Sequence, residues 1–178
     1  MGIRRMGPCR VVIKDRGTGT LTIERTAGGV VWTEGEEKAD ITLDQEGIVP
    51  ADKMSQGFRN EILVPIDAPT LDDLKFFPGI EIVEGSGGKR FIRRVSRVGL
   101  LDSDQLYELE IQQYVAGAPS ADPEDHIIFP AVAPQVEGDK TFDASTQRAY
   151  PLRFAAYPDA RRADKATWLM GDETATPV

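Results

Sequence analysis

Residues 106–115 alternate more cleanly than any other stretch of the chain. Tyr107, Leu109, Ile111 and Val115 fall on one side of an extended backbone, and Glu108, Glu110 and Gln112 fall on the other. A side-chain period of two is the signature of a β-strand with one buried and one wet face. Such a strand needs neighbours, and the rest of the chain supplies them. Val11 to Lys14, Thr20 to Glu24 and Gly29 to Thr33 are short β-branched runs separated by glycine-containing turns. That spacing predicts hairpins or a meander. Residues 39–44 place Ile41 and Leu43 on one face, and residues 60–66 do the same with Ile62, Val64 and Ile66. Strands are also expected at 80–84 and 89–98, around the turn Gly85 to Gly88, at His126 to Phe129, and from Tyr150 to a stop at Pro158-Asp159.

One α-helix is expected. Thr70 precedes Leu71 to Phe77 with Asp73 three positions on, which resembles a capping box with Asp in place of Glu. Asp72 and Asp73 suit the positive end of a helix dipole. Leu71, Leu74 and either Phe77 or Phe76 share a face at helical spacing, and Pro78-Gly79 ends the element. The fold class is therefore mainly β: two packed antiparallel sheets, as a sandwich or small barrel, with one flanking helix. At 178 residues the chain is long enough for one self-sufficient core.

Chemistry is sparsely provided for. The single histidine, His126, lacks the partner set of a catalytic site. Cys9, the single cysteine, excludes an internal disulfide and fits a reducing compartment. Arg10 beside it is a feature that lowers a thiol pKa, yet a thiol enzyme is not expected without a second histidine or a cysteine pair. The acidic groups Glu34 to Glu37 and Asp122 to Asp125 lack the ordered spacing of a calcium loop and read as solvated loops. Gly85 to Gly88 followed by Lys89 lacks the rest of a phosphate-binding loop and precedes a strand. No enzyme activity, metal or cofactor is expected. A net charge of −8 argues against a general phosphate-binding surface. No run approaches the roughly 20 apolar residues of a membrane span. The basic start, Met1 to Pro8, has no apolar stretch after it and is not expected to be a secretory signal.

The arginines at 90, 93, 94 and 97 are the strongest basic cluster. On a strand, Arg93 and Arg97 share one face while Arg90 and Arg94 share the other. With few aromatics nearby for base stacking, ion pairing with acids of this chain or a neighbouring subunit is the favoured reading.

The order of these pieces carries a resemblance. A strand, the stretch TLDQEGIVPADKMSQGFRNEILVPI (residues 42–66), the stretch TLDDLKFF (70–77), further strands and a closing AYPLRFAAYPD (149–159) together look like a tail tube protein of long-tailed, siphovirus-type bacteriophages. The resemblance covers roughly residues 36–160. It implies a self-assembling structural subunit: six copies form a ring, and rings stack into a tube through which DNA is ejected without specific binding. The implied partners are the chain itself and the tip, tape measure and terminator proteins, in a virion tail assembled in the host cytoplasm, with no membrane. By analogy residues 45–57 reach a neighbouring subunit, which makes Gln45, Glu46, Ile48, Asp52, Lys53 and Met54 interface candidates, together with Arg93 and Arg97. Glu108 and Glu110 are candidates for a lumen-facing surface. The implied organisation is an N-terminal arm or added hairpin over 1–35, a tail-tube-like β domain over 36–170 and a flexible tail over 171–178. The alternative reading is a β-rich adaptor, terminator or hub-type binding module, or a related secretion-tube protein.

Overall fold

A computed structural model describes residues 8–15, 19–42, 50–67, 69–96, 98–135, 149–172 and 174. Eleven strands are present among them: β1 (Cys9–Asp15), β2 (Thr20–Ile23), β3 (Val31–Thr42), β4 (Pro50–Asp67), β5 (Ile80–Glu84), β6 (Arg90–Arg94), β7 (Tyr107–Val115), β8 (Ala118–Pro119), β9 (His126–Gln135), β10 (Ala149–Ala156) and β11 (Leu169–Met170). The protein is mainly β, and all strand pairings among the described residues are antiparallel.

The large sheet runs β2-β1-β7-β9-β10-β4-β3, with β11 beside β9 and β8 beside β7. Its two ends meet through the chain itself. After β2 the backbone needs only Glu24 and Arg25 before Thr26 bridges to Ile66 on β4, and Ala27 donates its N–H to the Pro65 carbonyl at 3.0 Å. Residues 20–42 thus pair with β1 at one end and β4 at the other. Curling brings the inward-facing side chains into one core: Val11 and Ile13 of β1, Leu109 of β7, Phe129 of β9, Leu152 and Phe154 of β10, and Ile62 and Val64 of β4 are all fully buried. Closing a sheet in this way removes most of its edge, the part of a β protein most prone to unwanted pairing. β5 and β6 form a second, two-stranded sheet whose Ile80 and Ile92 pack against that core.

Both ends of the curled sheet are filled by aromatics. At one, Phe76 lies 5.7 Å from Tyr107, and Leu74 and Phe77 are buried beside it. At the other, Trp32 meets Phe129 and Trp168 edge-on at 5.4 and 5.1 Å. Such edge-to-face pairs add about 0.5–1.5 kcal/mol beyond the area they bury.

The expected helix at 70–77 is a short 3-10 turn, Asp73–Phe76, and no α-helix occurs among the described residues. The capping interaction forms, with Thr70 donating its N–H to Asp73 Oδ2 at 2.8 Å and Asp73 returning its N–H to Thr70 Oγ1 at 3.3 Å. The turn goes no further because Pro78 follows: its ring disfavours the helical conformation at the residue before it, and Phe77 is accordingly extended, at φ −79 and ψ 137. Gly79 then takes φ +72, and a Cβ there would sit 2.6 Å from the Val95 carbonyl oxygen. That approach lets Val95 donate its N–H to Gly79 O at 2.7 Å.

Between the strands expected at 39–44 and 60–66, residues 50–59 are strand as well, and 43–49 lie outside the described residues. β3 and β4 stay paired from Val31↔Leu63 out to Thr42↔Pro50, well past the core, with a register shift after Glu37 where Gly57 adopts φ +123. The outer part of this hairpin, 33–42 and 52–59, is exposed almost throughout. It forms an arm projecting from the barrel-like body.

Candidate functional site

Two features stand out: a polar lattice on the outer wall of β1, β7 and β9, and the β3–β4 arm. The lattice follows from strand register. Lys14 of β1 faces Glu108 of β7, Arg10 faces Gln112, and Gln112 faces His126 of β9. Lys14 Nζ bonds Glu108 Oε1 at 2.8 Å and Glu110 Oε2 at 3.1 Å. Glu110 Oε1 accepts from Gln112 Nε2 at 2.7 Å and lies 3.0 Å from His126 Nδ1. Arg10 Nε donates to Gln112 Oε1 at 2.7 Å, and its guanidinium lies 3.6 Å from Glu24, which also accepts from the Tyr114 hydroxyl. The other histidine nitrogen, Nε2, lies 2.9 Å from the Ser120 carbonyl. A neutral imidazole donates from one nitrogen only, so only the imidazolium satisfies both acceptors.

Burial tends to push the Glu110 pKa up, but the bonds from Gln112 and Lys14 and the nearby positive charges outweigh it and hold the carboxyl below its ordinary range. Lys14 balances the same way. Burial lowers its pKa, and the bonds to Glu108 and Glu110 more than reverse that.

Glu110 therefore differs from its expected place on a wet face. It is 8% exposed, and Gln112 beside it is equally buried. Alternation along β7 identifies the outward side of the strand. It does not reveal that neighbouring strands cover that side with charge partners. Glu108 remains partly open to solvent. The signal that was available is the spacing of Arg10, Val12 and Lys14, which puts two cations on one face of a strand that must pair with something acidic.

Of the interface candidates, Asp52, Lys53 and Met54 lie on β4 near the outer end of the arm, in strand rather than loop. Lys53 pairs with Asp40 across the arm at 3.3 Å. Met54 is 56% exposed and sits opposite Ala39, next to the half-open Ile41. Gln45, Glu46 and Ile48 fall outside the described residues, as does Arg97. Arg93 bonds Glu81 across the β5–β6 hairpin at 3.0 Å, and Arg90 bonds both Asp72 and Glu84. Of the three arginines of this cluster that are described, Arg90 and Arg93 are thus paired within the chain. The structure brings Glu108 and Glu110 together and keeps Arg93 apart from the arm residues.

Cys9 is buried, and burial, partly offset by a backbone hydrogen bond involving Val30, pushes its thiol pKa up. Arg10 cannot lower it because consecutive strand residues face opposite ways, and Arg10 is directed to Gln112 and Glu24. Among the described residues no group of three or more His, Cys, Asp or Glu is placed to hold a metal ion. Among the described residues no helix is long and apolar enough to cross a membrane. No protein-family model matches the chain, and no curated protein matches it.

Proposed function

We propose that this chain is a structural subunit of a bacteriophage-type tail tube, assembling with copies of itself into stacked rings that conduct DNA. The observation that carries this reading is the β3–β4 arm. It is a rigid paired hairpin that leaves the body, buries little of itself, and presents Ile41, Met54 and Phe58 to solvent. Hydrophobic side chains held clear of their own core on a stiff element are the mark of a contact made with another molecule. The arm contains the residues 52–54 that the resemblance assigns to intersubunit contact. A curled antiparallel sheet with a polar outer wall suits a wall that meets water on one side. The acidic balance of the chain suits a conduit that does not retain phosphate.

The test is assembly itself. Light scattering and negative-stain microscopy of the purified chain, across concentration, are expected to show rings about six subunits around or tubes built from them. A chain that stays monomeric both alone and with a tail-tip complex as nucleus would rule the proposal out. Rings that never stack would point instead to a terminator or adaptor.

A further inference from the structure

His126 is the only histidine of the chain, and three parts of the fold meet at it. Its Nδ1 lies 3.0 Å from Glu110 Oε1 on β7. Its Nε2 lies 2.9 Å from the carbonyl oxygen of Ser120, in the connection from β8 to β9. Its own backbone carbonyl accepts the Gly171 N–H just after β11. The two ring contacts differ in kind. Glu110 is buried and fixed by Gln112 and Lys14, so it cannot turn to water. Ser120 instead heads a surface segment, and Ala121 to Glu124 after it are exposed. A few short bonds close that segment: the Ser120 hydroxyl donates to Asp125 at 2.7 Å, the Asp122 N–H to the same hydroxyl at 3.2 Å, and the Asp125 N–H to the Asp122 carbonyl at 3.0 Å.

We propose that His126 is a proton-operated latch on residues 120–125: the imidazolium bridges Glu110 and Ser120 and holds the segment against the sheet, and loss of one ring proton releases it. A neutral ring keeps a single N–H. That proton stays on Nδ1, because a hydrogen bond to a carboxylate is about twice as strong as one to a neutral carbonyl. Nε2 then faces the Ser120 oxygen lone pair to lone pair, and the 120–121 peptide turns out to water. The charges packed around the ring leave the histidine as the group that responds. Glu110 is held below its ordinary range, and Lys14 of β1 above its own, so both keep their charge around neutrality. Arg10 of β1 is engaged with Gln112 and Glu24. Asp125 is taken up by the Ser120 hydroxyl, Asp122 by the Glu124 N–H, and Asp172, just past Gly171, by Thr174. Glu124 is exposed, and β9 carries no other ionisable side chain. The latch lies within one chain and operates whether or not copies assemble.

The experiment uses the full chain, labelled with nitrogen-15. With one histidine present, the ring spectrum holds one pair of nitrogen signals, and each reports whether its nitrogen carries a proton. As pH is raised from about 5 until the ring is neutral, two N–H groups are expected to give way to one, on Nδ1. Over the same series, hydrogen exchange at the Asp122 and Asp125 amides, corrected for the pH dependence of exchange itself, is expected to quicken about five- to tenfold, the worth of one ordinary hydrogen bond. Two variants, each checked for folding by circular dichroism, isolate the cause. In Glu110→Gln the charged acceptor is gone, so the neutral ring is free to donate to Ser120 and the segment stays closed throughout. In His126→Gln there is no proton to lose, so corrected exchange is flat with pH. A neutral wild-type ring protonated on Nε2, or corrected exchange that is flat in the wild type, would overturn the latch. So would a Glu110→Gln chain whose segment opens as the wild type does.

Discussion

At the scale of single residues, three side chains carry more than their sequence context suggests. Glu110 is the first. Folding lowers its affinity for protons, so the stability it contributes is complete above its ordinary value of 4.5 and is lost as pH falls through the lower folded value. Thermal denaturation across pH is expected to show Glu110→Gln less stable than wild type at pH 7, with the gap narrowing towards pH 4 and below. A constant gap would mean that the carboxylate is not the group the lattice depends on. Asn60 is the second. It is 1% exposed, accepts the Trp32 indole N–H at 2.9 Å and reaches Thr167 at 3.4 Å. Asn60→Ala leaves the indole donor without that partner and should cost about 1–3 kcal/mol in chemical denaturation. Cys9 is the third. Its buried, raised thiol is expected to resist a thiol-specific reagent in native buffer and to react at once in denaturant.

At the scale of elements, the sequence was clearest where one face decides everything. The core positions Leu109 and Ile111 of β7 and Ile62, Val64 and Ile66 of β4 follow from alternation alone, because those strands bury one side in a common interior. The arm was not legible for the opposite reason. Residues 33–38 and 52–59 are mostly charged, polar and glycine, with Met54 and Phe58 the only large apolar side chains among them, and a hairpin that buries neither side carries no period to read. Its stability comes from being continuous with β3 and β4 inside the body. The 70–77 segment failed differently. Its capping pair was legible and real, but Pro78 holds Phe77 extended and leaves room for only a single short turn. Gly79→Ala is the matching prediction: a Cβ in contact with the Val95 carbonyl, at a φ that favours glycine, should lower the melting temperature by several degrees. Replacing residues 36–57 with a short turn is expected to leave the melting temperature of the body nearly unchanged while abolishing assembly. Loss of folding instead would mean that the arm stabilises the core.

At the scale of the whole molecule, charge and shape act together. With a net charge of −8 and Arg90 and Arg93 of its strongest basic cluster paired within the chain, the protein should give no retention of duplex DNA in a gel-shift assay at about 0.15 M salt. Measurable binding at that ionic strength would contradict a passive conduit. The polar lattice was only half legible at this scale. The acids of β7 were visible as a row, but the cations that neutralise them sit about 100 residues earlier, on a strand whose register with β7 only the fold establishes.

The continuity of the arm with the body has a mechanical consequence. Both of its strands run without interruption into the barrel-like sheet, and their ladder bonds lie across the strand direction. A force drawn along the arm therefore loads many bonds side by side and is shared, whereas a sideways force opens them one after another. An arm built this way is strong in tension and weak to peeling. A stack of such subunits would resist being pulled apart end to end and yield most readily to bending.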